Sequence, residues 1–273
     1  MELIGAIVLG VIEGVTEWLP VSSTGHMILV DEILHLDVSE EFFELFLVVI
    51  QLGAICAVPT VFKDRIFPRG ILIQKEARAK WISLWINVAL ATLPATVMGL
   101  LFELSGLQSY LDNSFAVALS LIAYGVIFIV ISIKKRGRDI KVRDCELLST
   151  TDALGLGCFQ ILSLIPGTSR SGSVFLGGEI MGIHREASAE FSFLMAMPII
   201  LGASLFKTVK FFMSANTITL QETAVLLVGM LVAFFVSVIS IRFLMDFVRG
   251  HTLVPFGIYR IALGLLVLFN LYK

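Results

Sequence analysis

The sequence predicts an all-α, polytopic integral membrane protein with six transmembrane helices and two re-entrant helix-loop-helix hairpins arranged as an inverted repeat. The chain has 273 residues, of which 57% are hydrophobic and 15% charged, whereas soluble domains have about 45–50% apolar and about 25% charged residues. Its mean hydropathy is +0.94. Because no polar stretch of domain size interrupts the apolar runs, we expect one membrane domain over residues 1–273.

The first apolar region, residues 3–30, cannot form one continuous helix. Pro20 interrupts it, and Ser, Thr and Gly follow at once, a combination that ends or kinks a helix. The same features recur in residues 153–182 around Pro166. The N-terminal segment lacks the basic region of a signal peptide, so we expect it to be retained. The three cysteines have no pairing or metal-ligand spacing, which predicts no disulfide and no zinc or iron–sulfur site.

Six other apolar runs have the length of about 20 residues that a helix needs to cross a bilayer. These predicted spans are residues 42–62, 83–103, 115–133, 189–206, 222–243 and 253–271.

The charges between the spans predict the sidedness of the chain. Residues 63–81 and 134–146 each carry six basic side chains, which places both loops in the cytoplasm. Residues 31–44 carry six acidic side chains, and residues 104–114 carry one acid and no base, so both are predicted outside. The spans 189–206 and 222–243 cross the bilayer outward and back, so together they return the chain to the cytoplasm. Residues 153–182 lie between the cytoplasmic loop 134–146 and these two spans, and they must therefore cross the bilayer an even number of times or not at all. A re-entrant hairpin satisfies this condition. Lys207 and Lys210, on the predicted outer side, argue against the scheme.

The two interrupted regions resemble each other. GVIEGVTEWLPVSSTGH (10–26) aligns with GCFQILSLIPGTSRSG (157–172) when one gap is allowed. The resemblance predicts repeat one at about residues 1–135, a basic cytoplasmic linker at 134–152 and repeat two at about residues 153–273. One hairpin plus three spans inverts the following unit, and inverted repeats place a binding site at their interface. The alternative is a pair of chance kinks.

Both breaks predict a polar pocket, because irregular backbone at membrane depth persists only where protein or water satisfies its amides. Hydroxyls precede a predicted helix at about 24–34 and another at about 171–182, and free amides at helix N-termini bind phosphate or carboxylate. The candidate phosphate contacts are Ser22, Ser23, Thr24, Ser169, Ser171 and Gly172.

Four charged or titratable residues complete the predicted site. Arg170 at membrane depth needs an anionic partner, which is either a phosphate or an ion pair with Glu13 or Glu17. Glu13 and Glu17 lie one helical turn apart, where like charges repel, unless the pair binds a divalent cation or shares a proton; solvated carboxylates are the alternative. His26 follows Ser23 by three residues and can serve as base, acid or nucleophile, or have a structural role.

These motifs closely resemble the undecaprenyl-diphosphate phosphatase family, also called bacitracin-resistance proteins. The matching elements are Glu13-x-x-x-Glu17, PVSSTGH (20–26), IQLG (50–53) and PGTSRSG (166–172). The resemblance covers essentially the whole chain. It implies hydrolysis of undecaprenyl diphosphate at the outer face of a bacterial plasma membrane, a requirement for a divalent cation, usually magnesium, and a role in recycling the lipid carrier of peptidoglycan synthesis.

Carried over residue by residue, the family's functional side chains fall on Glu13, Glu17, Ser23, His26 and Arg170. The second motif departs from the family pattern, because Val174 stands where threonine is expected. Ser173 is the nearest replacement hydroxyl.

The residues also allow other functions. A lipid flippase or transporter would use the same inverted repeats and broken helices but needs no nucleophile, and an intramembrane serine protease would need no arginine or carboxylate pair. The formal net charge of -2 indicates no nucleic-acid partner. A homodimer is compatible with the sequence but is not indicated by it.

Overall fold

The computed structural model describes residues 2–31, 34, 36, 38–68, 74–106, 113–134 and 140–271. Across these residues the secondary structure is helical, and the one β-type pairing is an isolated bridge between Val142 and Ile183. We number the α-helices in chain order: α1 Glu2–Thr16, α2 Ser23–Asp31, α3 Glu40–Ile55, α4 Ala57–Val61, α5 Lys63–Ile66, α6 Lys75–Ser105, α7 Ser114–Lys134, α8 Thr150–Gln160, α9 Arg170–Met181, α10 Arg185–Met213, α11 Leu220–Gly250 and α12 Val254–Leu271.

The helices confirm the prediction of an all-α polytopic membrane protein. Six helical segments are long and apolar enough to cross a bilayer, and each contains most of one predicted span: Glu40–Val61, Lys75–Ser105, Ser114–Lys134, Arg185–Met213, Leu220–Gly250 and Val254–Leu271. The first of these is interrupted at Cys56, between α3 and α4. Several helices extend beyond the apolar run, because the flanking charged residues also favour helix.

The first interrupted region forms two helices with a loop between them. Helix α1 ends at Thr16 and α2 begins at Ser23. Along α1, Gly10 packs on the backbone of Gly229, and Gly14 packs on Ala233 and Val236, so the loop lies level with the middle of α11. The predicted helix 24–34 is observed as Ser23–Asp31, and residues 32–33 lie outside the described part of the chain.

The chain then returns to the end at which α1 begins, because Leu34 and Leu36 pack on Gly5. A re-entrant hairpin has this course, although its placement in a bilayer stays a prediction.

The second interrupted region follows the same course. Helix α8 ends at Gln160, a 3₁₀ turn covers Ile161–Leu164, and α9 begins at Arg170. Gly157 packs on the backbone of Ala91, near the middle of α6, and Met181 at the end of α9 contacts Gly155 in α8. The first loop therefore lies beside the middle of α11, and the second lies beside the middle of α6.

The helix contacts are paired between the two halves of the chain. α1 packs on α11 as α8 packs on α6, α3 packs on α11 as α10 packs on α6, and α2 packs on α12 as α9 packs on α7. The pairs α3–α10 and α7–α12 join equivalent helices. Two structurally related repeats would produce these matching contacts in the two halves of the chain. The boundaries of the repeats, the linker and the inverted orientation stay predictions.

Ion pairs join helices at one end of the bundle. Lys207 Nζ lies 2.9 Å from Glu44 Oε2, and Lys210 Nζ lies 2.8 Å from Glu103 Oε1. Both lysines therefore lie at the predicted outer end, where they pair with acidic residues, and the sidedness of the chain stays a prediction. Other charges used to predict sidedness lie outside the described residues: Glu32, Asp37, Arg69, Asp112, Lys135, Arg136 and Arg138.

A second ionic cluster, centred on Arg65, lies at the opposite end. Its guanidinium reaches Asp144 at 2.8 Å, and Glu146 and Glu190 at 2.7 Å. Partial burial opposes ionisation of Asp144, but hydrogen bonds from the Glu146 amide and from Arg65 outweigh it and hold the pKa below its usual value. Arg65, Asp144 and Glu146 all come from the two loops that were predicted to be cytoplasmic.

Candidate active site

A cavity of about 200 Å³, with both polar and apolar lining residues, lies where the two loops meet. One wall comes from residues 16–24, a second from residues 163–170, and α3 and α10 complete it. The lining residues are Thr16, Glu17, Ser22, Ser23, Thr24, Gln51, Ser163, Pro166, Gly167, Ser169, Arg170, Ile199, Ile200 and Ala203. The interface between the two interrupted regions is therefore the place where hydroxyls and charges converge.

Each loop has a serine with a positive φ immediately before its second helix. Ser22 has φ 72° and Ser169 has φ 73°, values that favour glycine and cost a residue with a Cβ roughly 1–3 kcal/mol. The next residues, Ser23 and Arg170, begin α2 and α9. Ser169 also caps its helix, because its Oγ accepts from the Gly172 amide at 3.3 Å. If Ser22 and Ser169 are equivalent, the second loop has one residue more between Pro166 and α9 than the first loop has between Pro20 and α2.

Arg170 connects the second loop to the first. Its Nε and Nη2 donate to Glu17 Oε1 at 3.3 and 3.1 Å, and Nη1 donates to the Ser192 carbonyl at 2.8 Å. The guanidinium also lies 6.0 Å from the centre of the Trp18 ring. The ion pair that the sequence left open is therefore formed, with Glu17 and not with Glu13. Three of the five guanidinium N–H groups are used, which leaves two for a ligand in the cavity.

The two carboxylates predicted to bind a cation lie together. The Glu17 amide donates to the Glu13 carbonyl at 3.0 Å, so the helical register continues one residue beyond α1. Glu13 is 1% exposed, and its Oε1 has no hydrogen-bond partner among the described residues. A buried carboxylate oxygen without a partner, beside a second carboxylate, fits either a divalent cation or a proton shared by the pair.

The described residues contain no cluster of three or more His, Cys, Asp or Glu side chains. Glu13 and Glu17 would therefore be the protein's carboxylate ligands to that cation. Magnesium sites often consist of one or two carboxylates plus substrate phosphate and water.

His26 lies beside the cavity and does not belong to its lining. Its Nδ1 lies 2.7 Å from the Ser22 carbonyl oxygen, and its Nε2 lies 2.7 Å from the hydroxyl of Tyr259 in α12. Both ring nitrogens of His26 are thus engaged, one by Ser22 and one by Tyr259. Ser23 itself lines the cavity.

The predicted phosphate contacts divide into two groups. Ser22, Ser23, Thr24 and Ser169 line the cavity. Ser171, Gly172 and Ser173 are buried beneath it. Ser171 Oγ lies 3.2 Å from Ser169 Oγ, and Ser173 Oγ donates to the Ser169 carbonyl at 2.9 Å, so both stabilise the loop. Ser173 and Val174 are both fully buried, and the replacement of the family's threonine by Ser173 stays a prediction.

Arg260 in α12 is a site residue that the sequence analysis missed. It is fully buried, and its guanidinium donates to the Pro20 carbonyl at 3.2 Å and to the Gly167 carbonyl at 2.7 Å. One side chain thus holds the backbones of both loops. Its signal in the sequence was its position as the sole basic residue in the apolar run 253–271, since a charge within a membrane helix marks a functional or structural contact.

Replacing Arg260 with methionine should lower both stability and activity. The change leaves two buried carbonyl oxygens unpaired, at about 1–3 kcal/mol each, and releases the spacing of the loops. We expect a lower Tm in detergent and a clear loss of turnover. Arg260→Lys, which cannot reach both carbonyls with a planar fork, should lie between methionine and the parent. Parental Tm and turnover in Arg260→Met would disprove the linking role.

Together, the fold and the cavity define a polytopic membrane protein with an internal site suited to an anionic group. The chain belongs to the bacitracin resistance protein BacA family, whose family model matches residues 6–266. It is similar to proteins named undecaprenyl-diphosphatase. The relative from Streptococcus mutans is 47% identical over 270 residues, 98% of this chain and 95% of the relative. That from Enterococcus faecalis is 47% identical over 98% of this chain and 96% of the relative, and that from Acetivibrio thermocellus 46% over 98% and 97%.

Proposed function

We propose that this protein is a membrane phosphatase that hydrolyses undecaprenyl diphosphate to undecaprenyl phosphate and inorganic phosphate. The family and the names of the relatives support the activity, and the site supplies the chemistry that it requires. The single observation that carries the assignment is the position of Arg170, which faces a cavity lined by hydroxyls inside a membrane-spanning fold. Such a guanidinium suits the oxygens of a phosphoryl group.

Arg170 would bind the terminal phosphate with the two N–H groups that Glu17 and Ser192 leave free. Phosphoryl transfer depends mainly on positioning and on stabilising charge at the equatorial oxygens. The existing bonds hold the guanidinium in place before the substrate arrives, so little reorganisation is needed on binding. Ser22, Thr24 and Ser169 lie on the same walls and would contact the remaining phosphate oxygens.

Ser23 is the proposed nucleophile. Its Oγ attacks the terminal phosphorus, the bond to the bridging oxygen breaks, and undecaprenyl phosphate leaves. His26 takes the serine proton and gives it to the departing phosphate, so the neutral imidazole can later activate the water that hydrolyses the phosphoserine. The close alternative, in which His26 attacks or activates water directly, predicts retained activity without the serine hydroxyl.

We propose that Glu13 and Glu17 hold a divalent cation, magnesium, next to the diphosphate. When bound, it would neutralise phosphate charge. The carboxylates themselves keep the local charge balanced against Arg170.

For localisation we propose the bacterial plasma membrane with the cavity toward the outer face. The six basic side chains in each of the loops 63–81 and 134–146, which the positive-inside rule places in the cytoplasm, support that orientation.

The direct test is phosphate release from undecaprenyl diphosphate by the purified protein in detergent. With magnesium we expect steady release; a chelator should reduce it at least about 100-fold, and added magnesium should restore it. Glu13→Gln, which keeps the shape of the side chain but removes its charge, should respond much less to magnesium. A protein that releases no phosphate under any cation condition would refute the phosphatase, whereas chelator-resistant turnover would refute only the cation site.

A further inference from the structure

The contact between His26 and Tyr259 bears on the tautomer of the imidazole as well as on its position. The two rings stack with centroids 5.6 Å apart and an angle of 13° between their planes, and the Tyr259 hydroxyl lies 2.7 Å from His26 Nε2. On the other side of the imidazole, Nδ1 lies 2.7 Å from the Ser22 carbonyl oxygen. Both ring nitrogens are therefore engaged, one by the first loop and one by the last helix.

The partners determine the tautomer of the neutral imidazole. A backbone carbonyl oxygen can only accept a hydrogen bond, so Nδ1 must carry the ring hydrogen. The single lone pair of the neutral ring is then on Nε2, and the Tyr259 O–H donates to it. Because Ser22 is the residue with the left-handed backbone before α2, its carbonyl is held by the fold of the loop.

We propose that Tyr259 is a positioning residue of the phosphatase, which sets the tautomer and orientation of His26 so that Nε2 is the nitrogen that takes up the nucleophile's proton. This inference rests on the proposed function. When the O–H bond of Ser23 breaks, the phenolic hydrogen turns away from Nε2, and the freed lone pair forms an N–H bond with the serine's proton. The phenol, which can donate or accept, then accepts from the N–H of the imidazolium. This charge-assisted bond is stronger than the neutral one that it replaces, so Tyr259 favours proton transfer to Nε2.

The kinetic test uses Tyr259→Phe, which removes the hydroxyl and keeps the ring stack. Loss of one hydrogen bond of about 1.4 kcal/mol corresponds to a factor of about ten in rate, so we expect kcat to fall about tenfold with KM changed less than twofold. In a His26→Gln background the same change should alter kcat less than twofold, because Tyr259 acts through His26. An unaltered kcat in Tyr259→Phe, or a change in KM alone, would overturn the proposal.

A spectroscopic measurement tests the contact without activity. In protein labelled with ¹⁵N-histidine, the His26 signals are identified by their loss in His26→Gln. We expect a protonated Nδ1 in the parent and in Tyr259→Phe, and an Nε2 signal that moves toward that of a free lone pair only in Tyr259→Phe. A parent His26 protonated on Nε2 alone, or an Nε2 signal unaffected by the substitution, would refute the proposed contact. If the parent releases no phosphate, the proposed function fails, while these signals still decide the fate of the contact.

Discussion

Replacing Arg170 with alanine should lower kcat/KM for undecaprenyl diphosphate by about 10³-fold or more, the range that a transition-state arginine contributes in phosphoryl transfer. The guanidinium faces the cavity with two free N–H groups, and the serine and threonine hydroxyls around it cannot replace a positive charge. The loss should persist at saturating substrate, because charge on the phosphoryl oxygens must be stabilised during the reaction as well as on binding. Phosphate release measured over a range of substrate concentrations gives both constants.

The alanine variant also leaves Glu17 without its ion-pair partner, so folding must be tested separately. Breaking a buried pair by removing one partner costs about 3–5 kcal/mol. Arg170→Lys keeps the charge without the planar fork and should fold like the parent, with activity between those of the parent and the alanine variant. Arg249→Ala removes an arginine from the opposite end, where it pairs with Glu186, and should leave turnover unchanged. Near-parental turnover in a folded Arg170→Ala protein would exclude Arg170 from phosphate binding.

Replacing Ser23 with alanine should reduce turnover at least about 10⁴-fold if its Oγ is the nucleophile, as is found when the attacking group of a hydrolase is removed. The substitution removes one oxygen from a residue that lines the cavity and begins α2. Substrate binding should change little, because Arg170 and the other hydroxyls remain. Single-turnover phosphate release, combined with a binding measurement on the uncleaved diphosphate, separates these effects.

Ser163 provides a matched control. It lines the same cavity, and its hydroxyl donates to the Gln160 carbonyl at 2.7 Å, so Ser163→Ala should keep turnover within about threefold. Substantial turnover in Ser23→Ala, alongside a normal Ser163→Ala, would transfer the nucleophile's role to His26 or to water activated by it.

The sequence predicted the fold well wherever a single strong physical effect decides the local structure. Long apolar runs need helices in lipid. Both breaks were foreseen because Pro20 and Pro166 are followed by clusters of Ser, Thr and Gly, whereas Pro94 and Pro198, which have no such cluster, lie inside α6 and α10.

The bounds of the helices were less accurate. The break at Cys56 was missed, although Pro59 lies four residues after Ile55, the last residue of α3, and a proline kinks a helix at the carbonyl of residue i−4. Helix α6 begins at Lys75, well before its apolar run, because helix propensity continues into the charged residues.

The candidate site was predicted in part for the same reason. Arg170, Glu17, Ser23 and Ser169 are close in sequence to the breaks, and the structure brings all four to one cavity. The partners of His26 could not be predicted, since Tyr259 lies 233 positions away and contacts of that separation depend on the packing of α2 against α12. Ser171 and Ser173 are buried beneath the cavity because of the rotation of α9 about its own axis, and a motif rich in hydroxyl side chains does not specify that rotation.

The position of Arg260 has a consequence for the order in which the protein is assembled. A ribosome synthesises both loops long before it reaches the last helix, and the guanidinium that ties their carbonyls together arrives with that helix. Until α12 inserts, the contact of Arg170 with Glu17 can join the two breaks, but the anchor that Arg260 provides for their backbones is missing, and the catalytic centre of a nascent chain is incomplete. Biogenesis of the enzyme therefore ends with its activation.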